Sequence, residues 1–409
     1  MMRTKLGLHH LGGRSSGAIS ARGGVVAGCI ALYAALAAML ASSGPGIACE
    51  SGPPLWAKDP LSSTAVFKVG FPWSGESFID TAGRVVARLR NTVAFGDFHD
   101  GLVQVRKSGE GTGFLRPDGS WAVPPKFDSA QDFSEGLAAV WAGRPRSWGY
   151  VDPTGKMAIS QQFESCGRFR FGLAPATLDG TNWGYIDHAG RFLIQHQFLY
   201  AAEFAGRRAR VVLAGDPCKM RVNYSCDTWI QLPTMTGKQA QHPELRPCRV
   251  VFIDDHGKVI TPDGFEAARD FSQGLAAVYS NGKWGFIDAA GSITIGFDFQ
   301  EVGPFSESIA AVKRDNKWGY VDEAGHFLIA PAFSWAGAFS EGVAVVDAGK
   351  GVRYIDRAGG QAVPGEYDLA TPFVFGLAHV ETHDRNGSIR MYIDRAGHTV
   401  YEYRSNQVQ

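Results

Sequence analysis

Hydrophobic and polar residues alternate over short runs along most of the chain, as in the segment "NKWGYVDEAGHFLIAPAF" (residues 316–333). Trp318, Tyr320 and Asp322 fall on one side of a period-two pattern, which is typical of a β-strand. The turn "DEAG" ends in glycine, the residue that most readily takes the positive φ of short hairpin loops. An apolar run beginning at Phe327 follows, so the segment predicts a β-hairpin.

The hairpin pattern occurs nine times, at spacings of 34 to 38 residues with one gap of 67. An aromatic residue always stands two positions before the first turn position, and a strand of the type "GLAAV" follows most copies. Arg116 occupies the first turn position in the second copy. The other eight copies carry aspartate there: Asp80, Asp152, Asp187, Asp254, Asp288, Asp322, Asp356 and Asp394.

An internal period of this length indicates a repeat array rather than several unrelated domains. Each repeat predicts a hairpin plus one strand, and none contains an amphipathic stretch of helical length. The predicted fold class is all-β, a tandem array of nine three-stranded β repeats of ~35 residues each. The array forms either a propeller-like or toroidal ring or an open β-solenoid.

The two ends of the array favour the closed form. The last copy stops after its hairpin at "GHTVYEY", and no "GLAAV" strand follows it. The first copy is preceded by an extra strand, Thr64–Val69, which we expect to complete the last repeat and close the ring. An open solenoid that begins one strand early is the alternative.

The turn aspartates are predicted to be structural. An aspartate at the first position of a turn accepts hydrogen bonds from backbone amides two or three residues further on. That role recurs wherever the turn recurs, whereas a catalytic carboxylate is needed only once or twice. We therefore assign all eight to the scaffold.

These motifs resemble those of the WG-repeat family, which is named for the Trp-Gly pair of its repeats. The resemblance covers roughly Ala65 to Tyr401 and is strongest at "KWGFIDAAG" (283–291) and "KWGYVDEAG" (317–325). Four copies lack both the Trp and the Gly: those at Asp80, Asp254, Asp356 and Asp394. The resemblance implies a repeat scaffold, often exported or attached to other modules, and it implies no reaction.

The N-terminal segment predicts export. Basic residues precede an uncharged apolar run (25–41), and a small-x-small site follows at Gly46 and Ala48. Cleavage there would leave Cys49 first, as in bacterial lipoproteins, although an uncleaved membrane anchor is the alternative. The predicted organisation is an export signal or anchor (1–48), a linker (49–63), the repeat domain (64–401) with an insertion (215–248), and a C-terminal tail (402–409).

The insertion holds three cysteines, Cys218, Cys226 and Cys248. In an exported protein they predict a disulfide, between Cys218 and either of the other two. A zinc site that adds His242 is the alternative, but the spacings match no standard zinc finger.

The charge balance and the motifs restrict the function. Forty basic and 40 acidic residues leave no net charge to attract nucleic acid, and no P-loop, G-x-S-x-G or H-E-x-x-H pattern occurs. We expect an exported, non-catalytic scaffold without cofactor that binds a protein or an envelope glycan in the periplasm or cell envelope. Membrane contact would come only from the N-terminal signal, anchor or lipid. The alternative is an envelope hydrolase with its site in the insertion or at one end of the array, which a His–carboxylate pair in a cleft would favour.

Overall fold

The computed structural model describes residues 65–71, 75–89, 91–144, 146–213, 218–219, 246–247, 249–349, 351–385 and 387–404. These residues form β-strands and turns without a helix, so none of the described segments is a helix able to cross a membrane. The predicted signal or anchor, Cys49 and the linker lie outside the described residues. So do Cys226, His242 and Cys248, so the disulfide and the zinc alternative stay predictions.

The strands form small antiparallel sheets that follow one another along the chain. The first sheet has three strands: β1 (Val66–Phe71), β2 (Gly75–Asp80) and β3 (Val85–Arg88). The second has four: β4 (Thr92–His99), β5 (Leu102–Lys107), β6 (Gly111–Leu115) and β7 (Trp121–Phe127). The third also has four: β8 (Ser129–Ala130), β9 (Ala138–Trp141), β10 (Trp148–Val151) and β11 (Met157–Phe163).

The middle of the array contains the largest sheet and the insertion. The large sheet has six strands: β12 (Ser165–Cys166), β13 (Ala174–Thr177), β14 (Trp183–Ile186), β15 (Phe192–Ala201), β16 (Arg208–Leu213) and β19 (Val251–Asp254). Two further strands form a parallel pair within the insertion: β17 (Cys218–Lys219) and β18 (Arg246–Pro247). Because β16 pairs directly with β19, the register of the repeat is set on both sides of the insertion.

Four sheets complete the array. Two of them have four strands: β20 (Ala267–Ala268), β21 (Leu275–Ser280), β22 (Lys283–Asp288) and β23 (Ile293–Phe299), then β24 (Glu301–Ser306), β25 (Ile309–Arg314), β26 (Lys317–Asp322) and β27 (Phe327–Phe333). The next has three: β28 (Trp335–Ala336), β29 (Ala344–Asp347) and β30 (Val352–Ile355). The last has four: β31 (Leu369–Ala370), β32 (Ala378–Asp384), β33 (Gly387–Ile393) and β34 (Thr399–Arg404).

Most sheets contain one strand more than the three predicted for each repeat. The additional strand precedes the "GLAAV"-type strand and pairs with it, as Ala267 does with Tyr279 and Ala268 with Val278. It is only two residues long in β8, β12, β20, β28 and β31. Two residues cannot display an alternating pattern, so the pattern of apolar and polar positions does not mark this strand.

The count of repeat units also differs from the prediction. Strand β15 pairs with β14 through Phe192, Ile194 and Phe198 and then with β16 through Tyr200 and Ala201. The fourth and fifth repeats therefore share one sheet. The predicted count of nine separate repeat sheets is corrected to eight, arranged as a β-propeller.

The hydrophobic core lies between consecutive repeats. In β26 every residue from Trp318 to Val321 is buried, so both faces of the strand are covered. Trp318 and Tyr320 belong to one cluster with Ala344 and Val346 of the next repeat. A repeat buries its two faces only between neighbours, which favours a long array over an isolated unit.

The ring closes, but not by the predicted strand exchange. Strand β1 pairs with β2 of its own repeat, from Val66 with Asp80 onward, instead of completing the last sheet. Closure comes from face packing, in which the rings of Phe67 and Tyr392 lie 5.3 Å apart. The turn residue Gly83, at φ +76°, lies so close to Val400 of the last repeat that a Cβ would collide with the Val400 carbonyl oxygen. The propeller is therefore closed, and the open solenoid is wrong.

Candidate functional site

The predicted turn aspartates all lie at the hairpin turns. Oδ1 of Asp322 accepts hydrogen bonds from the amides of Ala324 and His326, at 3.0 and 2.8 Å. The same pair of bonds, to amides two and four residues further on, occurs at Asp80, Asp152, Asp187, Asp254, Asp288, Asp356 and Asp394.

The second amide that donates to Asp322 is four residues further on, whereas the sequence predicted amides two or three residues on. The amide of the third residue, Gly325, donates instead to the backbone carbonyl of Asp322, at 3.0 Å. The amide of His326 is the main cause of a lowered pKa at Asp322. In the second copy, where Arg116 replaces the aspartate, Asp118 accepts a bond from the Ser120 amide at 2.9 Å. That turn thus keeps one carboxylate–amide bond from a different position.

The recurring tyrosines are buried and join consecutive repeats. The Tyr320 hydroxyl donates to the Gly337 carbonyl at 2.8 Å, 17 residues away in the next repeat. Three more tyrosines make the same bond over the same separation: Tyr150, Tyr185 and Tyr354. These aromatic rings belong to the core between repeats and do not line an exposed binding surface.

The strongest candidate site is an open pocket of about 440 Å³ between neighbouring repeats of the propeller. It is lined by Gln104, Ala130, Gln131, Asp132, Gly167, Arg168 and Glu203, which belong to four consecutive repeats. We call this the inner-wall cavity. Its charged residues occupy one repeat position, directly before the phenylalanine of the "FSEG"-type turn.

Ion pairs link the charged residues of the inner-wall cavity across the repeats. Arg168 Nε and Nη2 donate to the two carboxylate oxygens of Glu203, at 3.1 and 3.2 Å. The Arg168 amide donates to the same carboxylate at 3.1 Å. Asp132 Oδ2 lies 3.6 Å from Arg168 Nη1 and 3.4 Å from Nε2 of His99. Arg170 Nε lies 3.7 Å from Glu203.

Burial shifts the pKa values of these groups. Burial raises the pKa of Asp132, against the opposing effects of His99 and Arg168. Burial lowers the pKa of His99, which favours the neutral imidazole. For Arg168, burial acts to lower the pKa, but the ion pair with Glu203 raises it overall. Perturbed titratable groups around a cavity are a recognised mark of functional sites.

A second group of polar side chains lies in the last sheet. Ser388 Oγ lies 2.7 Å from His383 Nε2, and His383 Nδ1 lies 2.8 Å from Asp368 Oδ2. Hydroxyl, imidazole and carboxylate thus stand in the order found in serine hydrolases. His383 and Asp368 are each more than half exposed, at 58% and 56%. The described residues contain no group of three His, Cys, Asp or Glu positioned to hold a metal ion.

The comparisons with known proteins agree with the repeat motif. The family model described as "WG containing repeat" matches residues 113–140, 148–181, 183–215, 252–284, 284–318 and 318–349. The chain belongs to the WG-repeat family. No curated protein matches the sequence significantly.

Solved structures resemble this WG-repeat protein only distantly. Apo AztD from Citrobacter koseri has a TM-score of 0.37 at 11% identity, covering 84% of this chain and 95% of its own. BamB from Moraxella catarrhalis has a TM-score of 0.35 at 9% identity, covering 84% and 92%. The computationally designed Ika8 protein has a TM-score of 0.38 at 14% identity, covering 77% and 97%. The strand pairing of the WG-repeat protein itself therefore carries the assignment of its fold.

Neither group of polar residues was expected from the sequence. The signal for the inner-wall cavity is a difference between repeats, because one position carries a charged residue in five repeats (Asp97, Asp132, Arg168, Glu203 and Asp270) but Pro304, Ala338 and Pro372 in three others. Strand pairing alone brings Ser388 opposite His383, as cross-strand partners in β33 and β32. No spacing motif marks that contact in the sequence.

Proposed function

We propose that this WG-repeat protein is an exported, non-catalytic scaffold that binds a protein or an envelope glycan through its inner-wall cavity. One observation supports the proposal most. A feature that the fold needs recurs with the repeat, as the turn aspartates do. The fold does not need a charge at the position of Asp132, Arg168 and Glu203 in every repeat, because other repeats fold with Pro304 or Ala338 there. Those charges are therefore free to serve recognition.

A binding assay tests this proposal. The full-length protein is immobilised and exposed to two separate fractions of its own cell envelope, one of protein and one of purified glycan. The triple variant Asp132→Ala, Arg168→Ala, Glu203→Ala should lose the partner that the wild type retains. The control is Asp298→Ala, which removes an exposed carboxylate that pairs with Arg314 at 3.4 Å. Equal retention by the triple variant would contradict the proposal.

The proposal also places the protein in the cell envelope, which fractionation of the cells can test. A lipid at Cys49 would place the protein in the membrane fraction, and Cys49→Ser would then release it into the soluble envelope fraction. Protease added to intact spheroplasts separates an exported protein from one that stays inside. Protection of the wild type from that protease would contradict export.

The envelope hydrolase is the second candidate, with a site at one end of the array. The contacts among Ser388, His383 and Asp368 favour it, because they align a hydroxyl with a base and a carboxylate. His99 beside Asp132 in a cleft is a second His–carboxylate pair of the kind expected for this alternative.

Ester hydrolysis tests the second candidate. If the group is catalytic, Ser388→Ala should remove p-nitrophenyl acetate turnover. Ser334→Ala, which removes an exposed hydroxyl bonded to the Asp347 carbonyl, should leave turnover unchanged. A rate that is the same in wild type and Ser388→Ala would exclude the group from catalysis.

A further inference from the structure

The carboxylate of Asp132 is the least satisfied charged group in the inner-wall cavity. Its contacts with His99 and Arg168, at 3.4 and 3.6 Å, exceed the length of about 2.7–2.9 Å that charge-assisted hydrogen bonds take. Glu203 by contrast receives three bonds from Arg168. A half-buried carboxylate that lacks short hydrogen bonds gains most from a ligand that donates them.

The charge around the inner-wall cavity favours a cation. Two carboxylates and one guanidinium line it, an excess of one negative charge. The titratable groups that contact the lining residues do not reverse this excess of negative charge. Arg170 lies beside Glu203, Asp97 adds a negative charge near Asp132, and burial favours neutral His99.

The uncharged lining adds hydrogen-bond acceptors. The Gln131 side-chain amide donates to the Cys166 carbonyl at 3.0 Å, which leaves its oxygen to accept. Gln104 adds a second side-chain amide to the lining, and an amide oxygen can accept a further bond. A primary ammonium group has three donors and no acceptor, so it matches one carboxylate and two amide oxygens. A volume of about 440 Å³ suits one side chain or one sugar residue.

We propose that the inner-wall cavity binds a primary ammonium group, with Asp132 as its counter-ion and Gln104 and Gln131 as further acceptors. This inference rests on the proposed function and names the chemistry that the partner presents. The ammonium group comes either from a lysine side chain of a protein or from a de-acetylated amino sugar of a glycan. The two sources share the recognition chemistry, and a binding measurement distinguishes them.

Calorimetric titration of the full-length protein provides the test. The glycan pair of probes is glucosamine and N-acetylglucosamine. The protein pair is Nα-acetyl-lysine amide and its Nε-acetylated form. Within at least one pair the ammonium compound should bind at least about tenfold more tightly than the acetylated one, a difference of about 1.4 kcal/mol. The pair that shows this preference identifies the source.

Two variants assign the effect to Asp132. Asp132→Asn preserves the shape of the side chain and should lower the affinity for the ammonium compound about tenfold or more. Asp298→Asn removes one exposed carboxylate elsewhere and should leave the affinity unchanged. Thermal melting of both variants confirms that they are folded. An unchanged affinity in folded Asp132→Asn would overturn the inference.

The other outcomes separate the inference from the proposed function. If no ammonium compound binds, or if the acetylated compounds bind equally well, the inference is wrong. If binding of the partner is nevertheless lost in the triple variant, the proposed function stands and only the ammonium inference fails. If ammonium compounds bind through Asp132 but the triple variant retains the partner, the site chemistry stands and the proposed function fails.

Discussion

The hydroxyl of Tyr392 donates a hydrogen bond of 2.8 Å to the backbone carbonyl of Lys68, although 324 residues separate the two in the sequence. Inside the array, Tyr354 makes a bond of the same length to the Thr371 carbonyl of the next repeat. The last repeat thus meets the first through the kind of contact that joins consecutive repeats. The ring closes by packing of repeat against repeat, with no strand shared between its ends.

Tyr392→Phe tests this closure. Loss of the hydroxyl should lower the free energy of unfolding by about 1 kcal/mol, because one hydrogen bond is lost and the Lys68 carbonyl is left without its donor. Tyr354→Phe is the matched control, since it removes the corresponding bond within the array. Urea denaturation measures both variants. A neutral Tyr392→Phe beside a destabilising Tyr354→Phe would mean that the ring is open in solution.

The turn aspartates and the core tryptophans should differ in their effect on stability. Asp322→Ala removes two bonds to backbone amides and should cost about 1 kcal/mol. Trp318→Ala removes a large side chain that is only 8% exposed and should cost about 3–5 kcal/mol. Denaturant titration compares the two. An Asp322→Ala variant with wild-type stability would contradict the structural role of the turn carboxylate.

The sequence predicted the fold well wherever a feature recurs. The hairpin around Asp322 has its strands and its turn in the predicted places, and the ring form was the favoured alternative. The two-residue strands were missed because Trp335 and Ala336 are too few to show a period. The merged sheet was missed because the extension of β15 to Ala201 depends on backbone pairing with β16.

The candidate site was harder to predict for a different reason. Arg168 pairs with Glu203, 35 residues away, only because successive repeats bring equivalent positions together. The separation of 35 residues is one repeat period, so the contact joins equivalent positions in neighbouring repeats. A comparison of charges at one repeat position would have revealed it.

Asp270 is expected to be more important for stability than Asp298, although its own side chain is 46% exposed, because its partner is buried. It pairs at 2.6 Å with Arg210, whose side chain is only 5% exposed, so Asp270→Ala leaves a buried guanidinium without its counter-ion. The expected cost is about 3–5 kcal/mol. Asp298→Ala, at an exposed pair, should cost at most about 1 kcal/mol. Thermal melting of the two variants makes the comparison, and equal melting temperatures would contradict it.

The pH dependence of stability should separate Asp132 from the turn carboxylates. The pKa of Asp322 is lowered by backbone amides, so its contribution to stability is present above about pH 4 and is lost as the pH falls. The pKa of Asp132 is raised by burial, so its contribution is present below about pH 4 and is lost as the pH rises.

Asp132→Asn removes one of these two contributions. Its stability relative to wild type should therefore increase from about pH 4 toward neutral pH. Asp322→Asn should show the opposite trend and become relatively less stable over the same range. Urea denaturation at a series of pH values measures both. Parallel pH profiles for the two variants would contradict the assigned shifts.

The most direct test of the central claim is a combined measurement of melting temperature and partner binding on the triple variant Asp132→Ala, Arg168→Ala, Glu203→Ala. The variant removes two half-buried carboxylates together with the guanidinium that pairs with them, and joint replacement of paired charges is far less destabilising than removal of one partner. If the charges of the inner-wall cavity serve recognition, the variant should melt within a few degrees of the wild type and no longer bind the partner. Loss of cooperative melting would show that these charges belong to the scaffold, and full binding by a folded variant would show that recognition lies elsewhere.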